Sequence, residues 1–258
     1  MAGFTGTRPI ITDGLVFTLD VGSYKCISGS TDDISNGVIT YQNQYLCEGA
    51  SGSPGSGTHT PNTSNMPSYS SAYGGILDFS GGKGMNVVQD LGTSTVSTYS
   101  IWVLWDSGTY GPQYFFDARA NGGIWHFANY PQSTGYSINW NSNLQYNFGG
   151  GSHNPTDWPS DEWVHIITTS DSGGSKIYVN GSNRTSDAAT SNSTNENLGK
   201  NFRIGTRYTT SSPYQGKMGP IHLYKYAFTD ADALHMFNTY KSRFNALPYD
   251  ELAIKQGW

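Results

Sequence analysis

The stretch EWVHIITTSDSGGSKIYVNG, residues 162–181, decides the fold of this chain. Apolar and polar side chains alternate over 162–170 and again over 175–181, which is typical of strands whose two faces meet different surroundings. Between the two runs, DSGG (171–174) supplies glycines that can adopt the positive φ angles of a tight turn. Because alternation on both arms fixes the register, the stretch predicts an antiparallel β-hairpin.

Strands with the same character lie on either side of this hairpin. STYSIWVLWD (97–106) is apolar on both of its alternating faces, which is typical of a strand in the middle of a sandwich. NFRIGTR (201–207) and GKMGPIHLYKYAF (216–228) follow the hairpin and are expected to close the sheet. Further short strands, separated by turn residues, indicate an all-β fold. They are predicted at 14–22, 74–81, 85–90, 113–118, 123–128, 136–139 and 144–149.

One helix is predicted near the C-terminus. Thr229 and Asp232 have the spacing of a capping box, in which a hydroxyl and a carboxylate satisfy free backbone N–H groups. Large side chains then recur every three or four residues, so one face of the helix should lie on the sandwich. This face consists of Ala231, Leu234, Phe237, Tyr240, Lys241 and Phe244, and Pro248 is expected to end the helix.

The composition supports a single β-rich domain. The 258 residues include 18 Tyr, 11 Phe, 7 Trp and 32 Gly, and only 13% are charged. We therefore expect one domain over 14–247, preceded by an extended arm (1–13) and followed by a short tail (248–258). Residues 27–74 are rich in Ser, Gly, Asn and Thr and are predicted to form a long loop or insertion.

Charge and cysteine content exclude several kinds of partner. The net charge is −5 and the 14 Lys and Arg residues form no basic cluster, so we expect no nucleic-acid partner. No apolar run is long enough to span a bilayer, and the first residues do not resemble a secretory signal, so neither a membrane partner nor secretion is expected. Cys26 and Cys47 are expected to be free thiols that folding does not require.

The order of these segments resembles the laminin-G-like, concanavalin-type domains. In those domains a Trp-His pair opens a hairpin ending in Tyr-Val-Asn-Gly, and an Ile-Gly strand, a Gly-Lys-Ile strand and a short helix follow. Here the pair is split as Trp163-Val-His165, and the similarity covers roughly 14–26 and 74–246. The resemblance implies a concanavalin-like (laminin-G-like) jelly-roll β-sandwich with one short C-terminal helix. It also places 14–20 beside the closing strands at 201–225.

The variant with GLVFTLD (14–20) at its start and KSRFNAL (241–247) at its end looks like the one common in tailed-bacteriophage structural genes. This resemblance implies a non-enzymatic virion protein in the capsid decoration, the neck, the tail or a fibre, assembled in the host cytoplasm. Its partners would be other virion proteins and copies of itself. The alternative is a receptor-binding lectin module that recognises a glycan on the host surface, because one fold hosts many functions.

Catalysis has little support in the sequence. Polysaccharide hydrolysis needs two carboxylates across the sugar bond. None of the four glutamates, Glu48, Glu162, Glu196 and Glu251, lies in the Glu-X-Asp-X-X-Glu frame of the hydrolases that share this fold. There is no serine-nucleophile elbow or phosphate loop, and the six histidines are scattered. We expect no enzymatic activity, with polysaccharide hydrolysis through aspartates from different strands as a remote alternative.

Calcium is the one cofactor for which the resemblance offers a reason. Asp20, Asp78 and Asp90 could supply hard oxygen ligands. Each also stands where a strand enters a turn, where aspartate commonly bonds its own backbone. We favour this structural role over a metal site.

Sugar binding would use exposed aromatic rings flanked by amide side chains. Residues 121–158 are the best candidate stretch, because aromatic residues lie there among Asn and Gln. The candidate residues are Trp125, Tyr130, Tyr136, Trp140 and Trp158. Burial in the core is the competing interpretation for at least half of them.

The two ends of the chain are predicted to hold it in an assembly. Both carry apolar side chains without a periodicity that would bury them in their own domain. These anchors are Phe4, Ile10, Ile11, Tyr249, Leu252, Ile254 and Trp258. The alternative is that both ends fold back on their own sandwich, as short terminal segments often do.

Overall fold

The computed structural model describes residues 10–22, 39–42, 56–59, 67–88, 93–105, 113–117, 126–132, 135–140, 144–147, 161–185, 188–190, 196–197, 201–207 and 212–256. Its strands are β1 (Leu15–Leu19), β2 (Ile39–Gln42), β3 (Ser56–His59), β4 (Ser68–Ser70), β5 (Ile76–Asp78), β6 (Met85–Val88), β7 (Thr93–Ser94), β8 (Ser97–Trp105), β9 (Gln113–Asp117), β10 (His126–Gln132), β11 (Gly135–Trp140), β12 (Leu144–Asn147), β13 (Trp163–Asp171), β14 (Gly174–Val179), β15 (Ser182–Asn183), β16 (Ala188–Thr190), β17 (Glu196–Asn197), β18 (Asn201–Ile204) and β19 (Gly216–Tyr224). A 3-10 helix spans Ala72–Gly74, and the α-helices are α1 (Asp230–Phe244) and α2 (Tyr249–Gln256). Within the described chain, no helix is long and apolar enough to cross a membrane.

Two antiparallel sheets carry the architecture of the described residues. Sheet I has eight strands in the order β15-β14-β13-β8-β19-β5-β4, and β1 also pairs with β19. Sheet II has seven strands in the order β16-β12-β11-β10-β9-β18-β6. Strands β2 and β3, and strands β7 and β17, form two separate two-stranded pairs. The all-β sandwich that the sequence predicts is confirmed.

The two sheets are joined by aromatic side chains. On β8 the alternate residues 99, 101, 103 and 105 are buried in the main core. The Tyr99 ring meets Phe116 of sheet II edge-on, with centroids 5.0 Å apart, and Phe17 of β1 meets Phe202 in the same way at 5.2 Å. Such aromatic pairs contribute about 1 kcal/mol beyond their buried area. The alternation predicted for this central strand is therefore correct.

The predicted hairpin is formed by β13 and β14. Ile166 lies opposite Val179, and the register continues without a shift to Asp171 opposite Gly174. In the turn, the Gly173 N–H donates to Asp171 Oδ1 at 2.7 Å, and Gly174 has a φ of 119°. Glycine adopts this conformation without the clash that a Cβ would cause.

The start of the chain pairs with its closing strand. Leu19 lies opposite Ile221 and Phe17 opposite Leu223, and the register shifts between Phe17 and Leu15, which lies opposite Tyr224. The strand β1 could not be stable alone, since a short strand needs partners on both sides or a packed face. The predicted pairing of 14–20 with the closing strands is confirmed.

Helix α1 forms a third layer on the outer face of sheet I, where Phe237 and Phe244 pack against Trp102. Helix α1 begins with the predicted capping box: Asp232 N–H donates to Thr229 Oγ1, and Thr229 N–H donates to Asp232 Oδ2. Its buried face differs from the predicted one, because Ala231 and Leu234 are exposed. The residues buried in α1 are Ala233, Met236, Phe237, Thr239 and Phe244. The two sets share Phe237 and Phe244, and the true face is rotated from the predicted one toward residues 233 and 236.

The C-terminal tail is a second helix, so the prediction of one C-terminal helix is wrong. Helix α1 ends at Asn245, which adopts a left-handed φ of 51°, and Pro248 then precedes α2. Proline is favoured at the beginning of a helix because its missing N–H would have no intrahelical partner there. The same residue that was expected to stop one helix instead introduces the next.

The predicted loop at 27–74 also contains regular structure. Ile39–Gln42 pairs with Ser56–His59, and Ser68–Ser70 joins the edge of sheet I beside β5. Cys26 and Cys47 lie outside the described residues, so the prediction of free thiols stays a prediction.

Candidate functional site

The predicted sugar-binding residues are distributed over sheet II and segments outside the described chain. Trp125 and Trp158 lie outside the described residues. Tyr130 belongs to β10, and Tyr136 and Trp140 belong to β11.

The register of the β10–β11 hairpin divides these three positions. Tyr130 lies opposite Ser137, whereas Tyr136 and Trp140 lie opposite Pro131 and Phe127. Directly opposed residues share a face and neighbouring residues alternate. The position of Tyr130 is therefore on one face of sheet II and the positions of Tyr136 and Trp140 are on the other.

Asp20, the first calcium candidate, forms an ion pair with Arg243. Both of its carboxylate oxygens accept from Arg243 Nη1 at 2.8 Å, and Oδ1 also accepts the Gly22 N–H at 3.0 Å. Asp20 is 8% exposed. Its oxygens neutralise a guanidinium and close a turn, which is the structural role favoured from the sequence.

Asp78 also caps its own turn, because its Oδ1 accepts the Ser80 N–H at 2.9 Å. Asp90 lies outside the described residues. Within the described part of the chain, no three His, Cys, Asp or Glu side chains come together as a metal site.

Two of the predicted assembly anchors are core residues. Tyr249 and Leu252 of α2 are 6% and 1% exposed and belong to the main hydrophobic core. The expectation that they await a neighbouring subunit is corrected by the helix itself, since residues three apart on α2 share its buried face. Ile254, on the opposite side of the same helix, is 80% exposed.

At the other end of the chain, Ile10 and Ile11 are half-buried and pack on a second cluster that includes Leu15 and Tyr224. Phe4 and Trp258 lie outside the described residues. Among the described anchors, Ile254 alone presents its side chain to solvent.

Two histidines are buried between sheet I and α1. His165 Nε2 is 2.8 Å from Ser100 Oγ, and His222 lies 2.9 Å from Thr18 Oγ1 and 3.2 Å from Tyr240 OH. Burial lowers the pKa of His222 to about 3, and the nearby Arg243 adds to this. Burial also lowers the pKa of His165 well below its ordinary value. Both rings are therefore neutral and take part in the packing between sheet I and α1.

A row of cross-strand partners crosses sheet I from the margin of α1, where Trp163 meets Phe244, to the edge strand β4. Consecutive cross-strand partners form this edge row, which consists of Trp163, Leu104, Lys217, Asp78 and Ser68. Its members lie on the outer face, because Leu77 and Met218, which alternate with Asp78 and Lys217, are in the inter-sheet core. The neighbouring row is covered instead, since Gly219 lies directly beneath Phe244 of α1.

Leu104, Lys217 and Asp78 of the edge row form the floor of a groove. This edge groove has an empty volume of about 460 Å³ that includes open solvent, and it is lined by Asp78, Ser80, Leu104, Trp105, Asp161, Gly216 and Lys217. Asp161 is exposed and has a φ of 61°, a left-handed conformation that is uncommon for a residue with a Cβ. It precedes β13 by two residues and brings a second carboxylate to the same groove as Asp78.

Lys217 is the central charge of the edge groove. Its side chain is half-buried, and among the described residues none forms a hydrogen bond or an ion pair with its ammonium group. The ammonium keeps three hydrogen-bond donors available, while the Asp78 and Asp161 carboxylates line the same groove as acceptors.

An exposed aromatic ring lies beside the edge row. Tyr73 is 39% exposed, and its ring meets that of Trp163 at 5.4 Å and that of Phe244 at 6.0 Å. Its backbone has a left-handed φ of 52° and is held by Arg243 Nε, which donates to the Tyr73 carbonyl at 2.6 Å.

The sequence analysis identified Asp78 but missed Lys217, Asp161 and Tyr73. A signal for Lys217 was present: in GKMGPIHLY a charged residue occupies an alternating position of an otherwise apolar strand. The convergence of Asp161 with Asp78 depends on strand order, which distances in the sequence do not reveal.

Similar solved structures are distant in sequence. Domain 4 of AbnA, a GH43 extracellular arabinanase from Geobacillus stearothermophilus, in complex with arabinotriose, is similar with a TM-score of 0.48 and 19% identity, over 66% of this chain and 80% of that one. The botulinum neurotoxin serotype D binding domain is similar with a TM-score of 0.54 and 12% identity, over 88% of this chain and 52% of that one. This chain thus spans about half of the neurotoxin domain. At these identities the likeness concerns the fold.

No curated protein sequence matches the chain. The Laminin G 3 family, described as the Concanavalin A-like lectin/glucanases superfamily, matches residues 79–233, which is more than half of the chain. The match includes β8, the β13–β14 hairpin and the start of α1. This chain is a lectin-like sandwich that belongs to the Laminin G 3 family of the concanavalin A-like lectin/glucanase superfamily.

Proposed function

We propose that this protein is a non-enzymatic structural component of a bacteriophage virion. Its lectin-like sandwich would serve assembly on the particle or adhesion to a surface. The resemblance of the segments at 14–20 and 241–247 to tailed-phage structural proteins supports the virion role. Membership of a lectin-like family supports a binding role for the sandwich.

The non-enzymatic part of the proposal is supported mainly by the buried ionisable groups, which form contacts within the fold. His165 and His222 are neutral, buried and hydrogen-bonded to Ser100 and Thr18. Asp20 and Arg243 form an ion pair. A general acid or base must reach a proton on the substrate, and these buried groups are engaged by the fold instead. Such an arrangement favours a rigid binding module over a catalyst.

Exposed apolar surface supports the assembly part of the proposal. Ile254 is 80% exposed on α2, while Leu252 fixes the same helix to the core at 1% exposure. A rigidly held apolar side chain can pack against a neighbour with little loss of conformational entropy. The neighbours would be other virion proteins or further copies of this chain.

The second candidate function is a receptor-binding lectin module that recognises a glycan on the host surface. The edge groove favours it, because hydrogen-bond donors and acceptors converge there beside an aromatic ring. Polar groups that converge in a concave site fix the orientation of a small ligand.

Particle association tests the virion role. Phage particles from cells carrying the gene are purified by density gradient and their proteins are identified by mass spectrometry. The proposal predicts that the protein sediments with the particles at a constant ratio to the capsid protein. Its recovery in the soluble fraction alone would contradict the virion role.

A glycan array separates the two candidate functions, and an assay for new reducing ends tests hydrolysis. A purely structural component binds no glycan, whereas a lectin module binds a defined subset. Release of reducing ends from host polysaccharide, retained after further purification, would show that the protein is an enzyme.

A further inference from the structure

We propose that the edge groove is a saccharide-binding site selective for neutral sugars, with Lys217 as its central hydrogen-bond donor. This inference deepens the adhesive role proposed above and rests on it. The groove lies on the outer face of sheet I, at the margin of α1, and not within residues 121–158, where the sequence placed its aromatic candidates.

The half-buried position of Lys217 favours a ligand that accepts hydrogen bonds. Lys217 lies between Leu104 and Asp78 across three paired strands, and it is half-buried. A lysine in such a strand position loses side-chain entropy and part of its hydration. Among the described residues none compensates this with a bond to the ammonium. A ligand that accepts hydrogen bonds from the ammonium would do so.

The carboxylates define the chemical class of that ligand. Asp78 and Asp161 line the same groove as Lys217, so two negatively charged acceptors share the groove with one positive donor. A sugar offers hydroxyl groups that donate to carboxylates and oxygens that accept from an ammonium. A uronate or another acidic sugar would place its own carboxylate beside two others, which repel it. Neutral sugars are therefore favoured over acidic ones.

The shape of the edge groove also suits a saccharide. The groove is open to solvent along one side and its floor crosses three strands, which suits the end of a chain or one unit within it. Tyr73 stands next to this floor, because its ring contacts Trp163, the direct partner of Leu104. An exposed aromatic ring beside polar groups can stack on the apolar face of a sugar.

The site needs no movement of the helices. Phe244 covers the neighbouring row through Gly219, and Arg243 holds the Tyr73 carbonyl. The backbone that carries the Tyr73 ring is therefore held before a ligand arrives, which reduces the entropic cost of binding.

Calorimetric titration of the full chain tests the inference. The neutral probes are maltotriose, cellotriose, mannotriose and chitotriose, and the acidic probe is trigalacturonate. The variants are Lys217→Met, which keeps the length of the apolar stem, and Asp161→Asn, which keeps the shape of the carboxylate. Lys176→Met is the matched control, because Lys176 is an exposed lysine of β14 in the same sheet.

The wild type is expected to bind at least one neutral probe more tightly than trigalacturonate. Lys217→Met and Asp161→Asn should each weaken that binding about 10-fold or more, the usual effect of losing a hydrogen bond to a charged group. Lys176→Met should leave it unchanged. Equal urea midpoints for all three variants would show that the loss arises in the groove and not from unfolding.

Three results would overturn the inference. Neutral binding that survives Lys217→Met and Asp161→Asn would keep the adhesive role and place its site elsewhere. Tighter binding of trigalacturonate would keep adhesion and contradict the selectivity. Absence of binding to all five probes would reject the saccharide site, while the virion role would still be decided by sedimentation with particles.

Discussion

Arg243 joins three segments that are far apart in the sequence. Its Nη1 donates to both oxygens of Asp20, its Nε to the Tyr73 carbonyl and its Nη2 to the Gly75 carbonyl. The ion pair is nearly buried, with each side chain 11% exposed. The planar guanidinium suits this role because it presents several N–H donors in a fixed geometry.

Arg243→Met should destabilise the protein by about 3 kcal/mol, since it leaves the Asp20 carboxylate buried without its partner. Urea unfolding at neutral pH measures the loss. The control is Lys241→Met, which removes an exposed cation from the same helix and should change stability by less than about 0.5 kcal/mol. Equal losses of stability in the two variants would contradict a stabilising role of the Arg243–Asp20 ion pair.

His165 and His222 make stability depend on pH. Both have lowered pKa values in the folded protein, so below about pH 6.5 the unfolded chain binds protons that the folded chain does not. The groups facing His222 are Thr18 of β1, and Tyr240 and Arg243 of α1, none of which carries a negative charge that would favour its protonation.

The free energy of unfolding should therefore be greatest above pH 6.5 and fall as the pH decreases. Between pH 7.5 and pH 5.0 His222 should account for a loss of about 2 kcal/mol, and His165 should add to it. Urea titrations at both pH values measure the total loss, and His222→Gln should reduce it by about 2 kcal/mol. A stability that is constant over this range would show that the two histidines are not buried and neutral.

At the scale of elements, the sequence predicted those whose pattern is local. The β13–β14 hairpin and the capping box of α1 follow from residues within a few positions of each other. The face of α1 was partly misassigned, because Ala231 and Met236 are equally compatible with helical spacing and only the position of sheet I decides which is buried. Helix α2 was missed, because Pro248 signals an end and a beginning equally well.

Helix α2 provides a matched pair of substitutions. Leu252→Ala should cost about 3 kcal/mol, because it opens a cavity in the main core. Ile254→Ala, at a position 80% exposed, should change stability by less than about 0.5 kcal/mol. Urea unfolding of both variants checks the orientation of α2, and the opposite order of effects would reverse it.

A substitution of Ile254 tests assembly without disturbing the folded core. Deletion of 248–258 would remove Tyr249 and Leu252 from the core, so a loss of incorporation could not be assigned to a lost contact. Ile254→Asp keeps the core intact. We expect it to reduce incorporation into particles several-fold without changing the urea midpoint, whereas unchanged incorporation would remove Ile254 from the assembly contacts.

On the scale of the whole molecule, sheet I lies between sheet II and helix α1, whereas α2 contributes Tyr249 and Leu252 to the core between the sheets. The sequence predicted the sandwich, since alternation and turn residues are local signals. It placed the candidate site on residues 121–158, because aromatic residues among amides are visible in a sequence. It could not reveal the edge row, whose five members come from strands separated by up to 149 residues, Ser68 to Lys217, and meet only through strand order.

A labelled image of the particle tests directly whether this protein is part of a virion. Purified particles are incubated with gold-conjugated antibody against the folded protein and viewed by negative-stain electron microscopy. The account predicts gold at one repeated location on intact particles, at the capsid, the neck, the tail or a fibre. Particles that carry no gold, although the antibody binds the free protein and detects it in the lysate, would contradict the account.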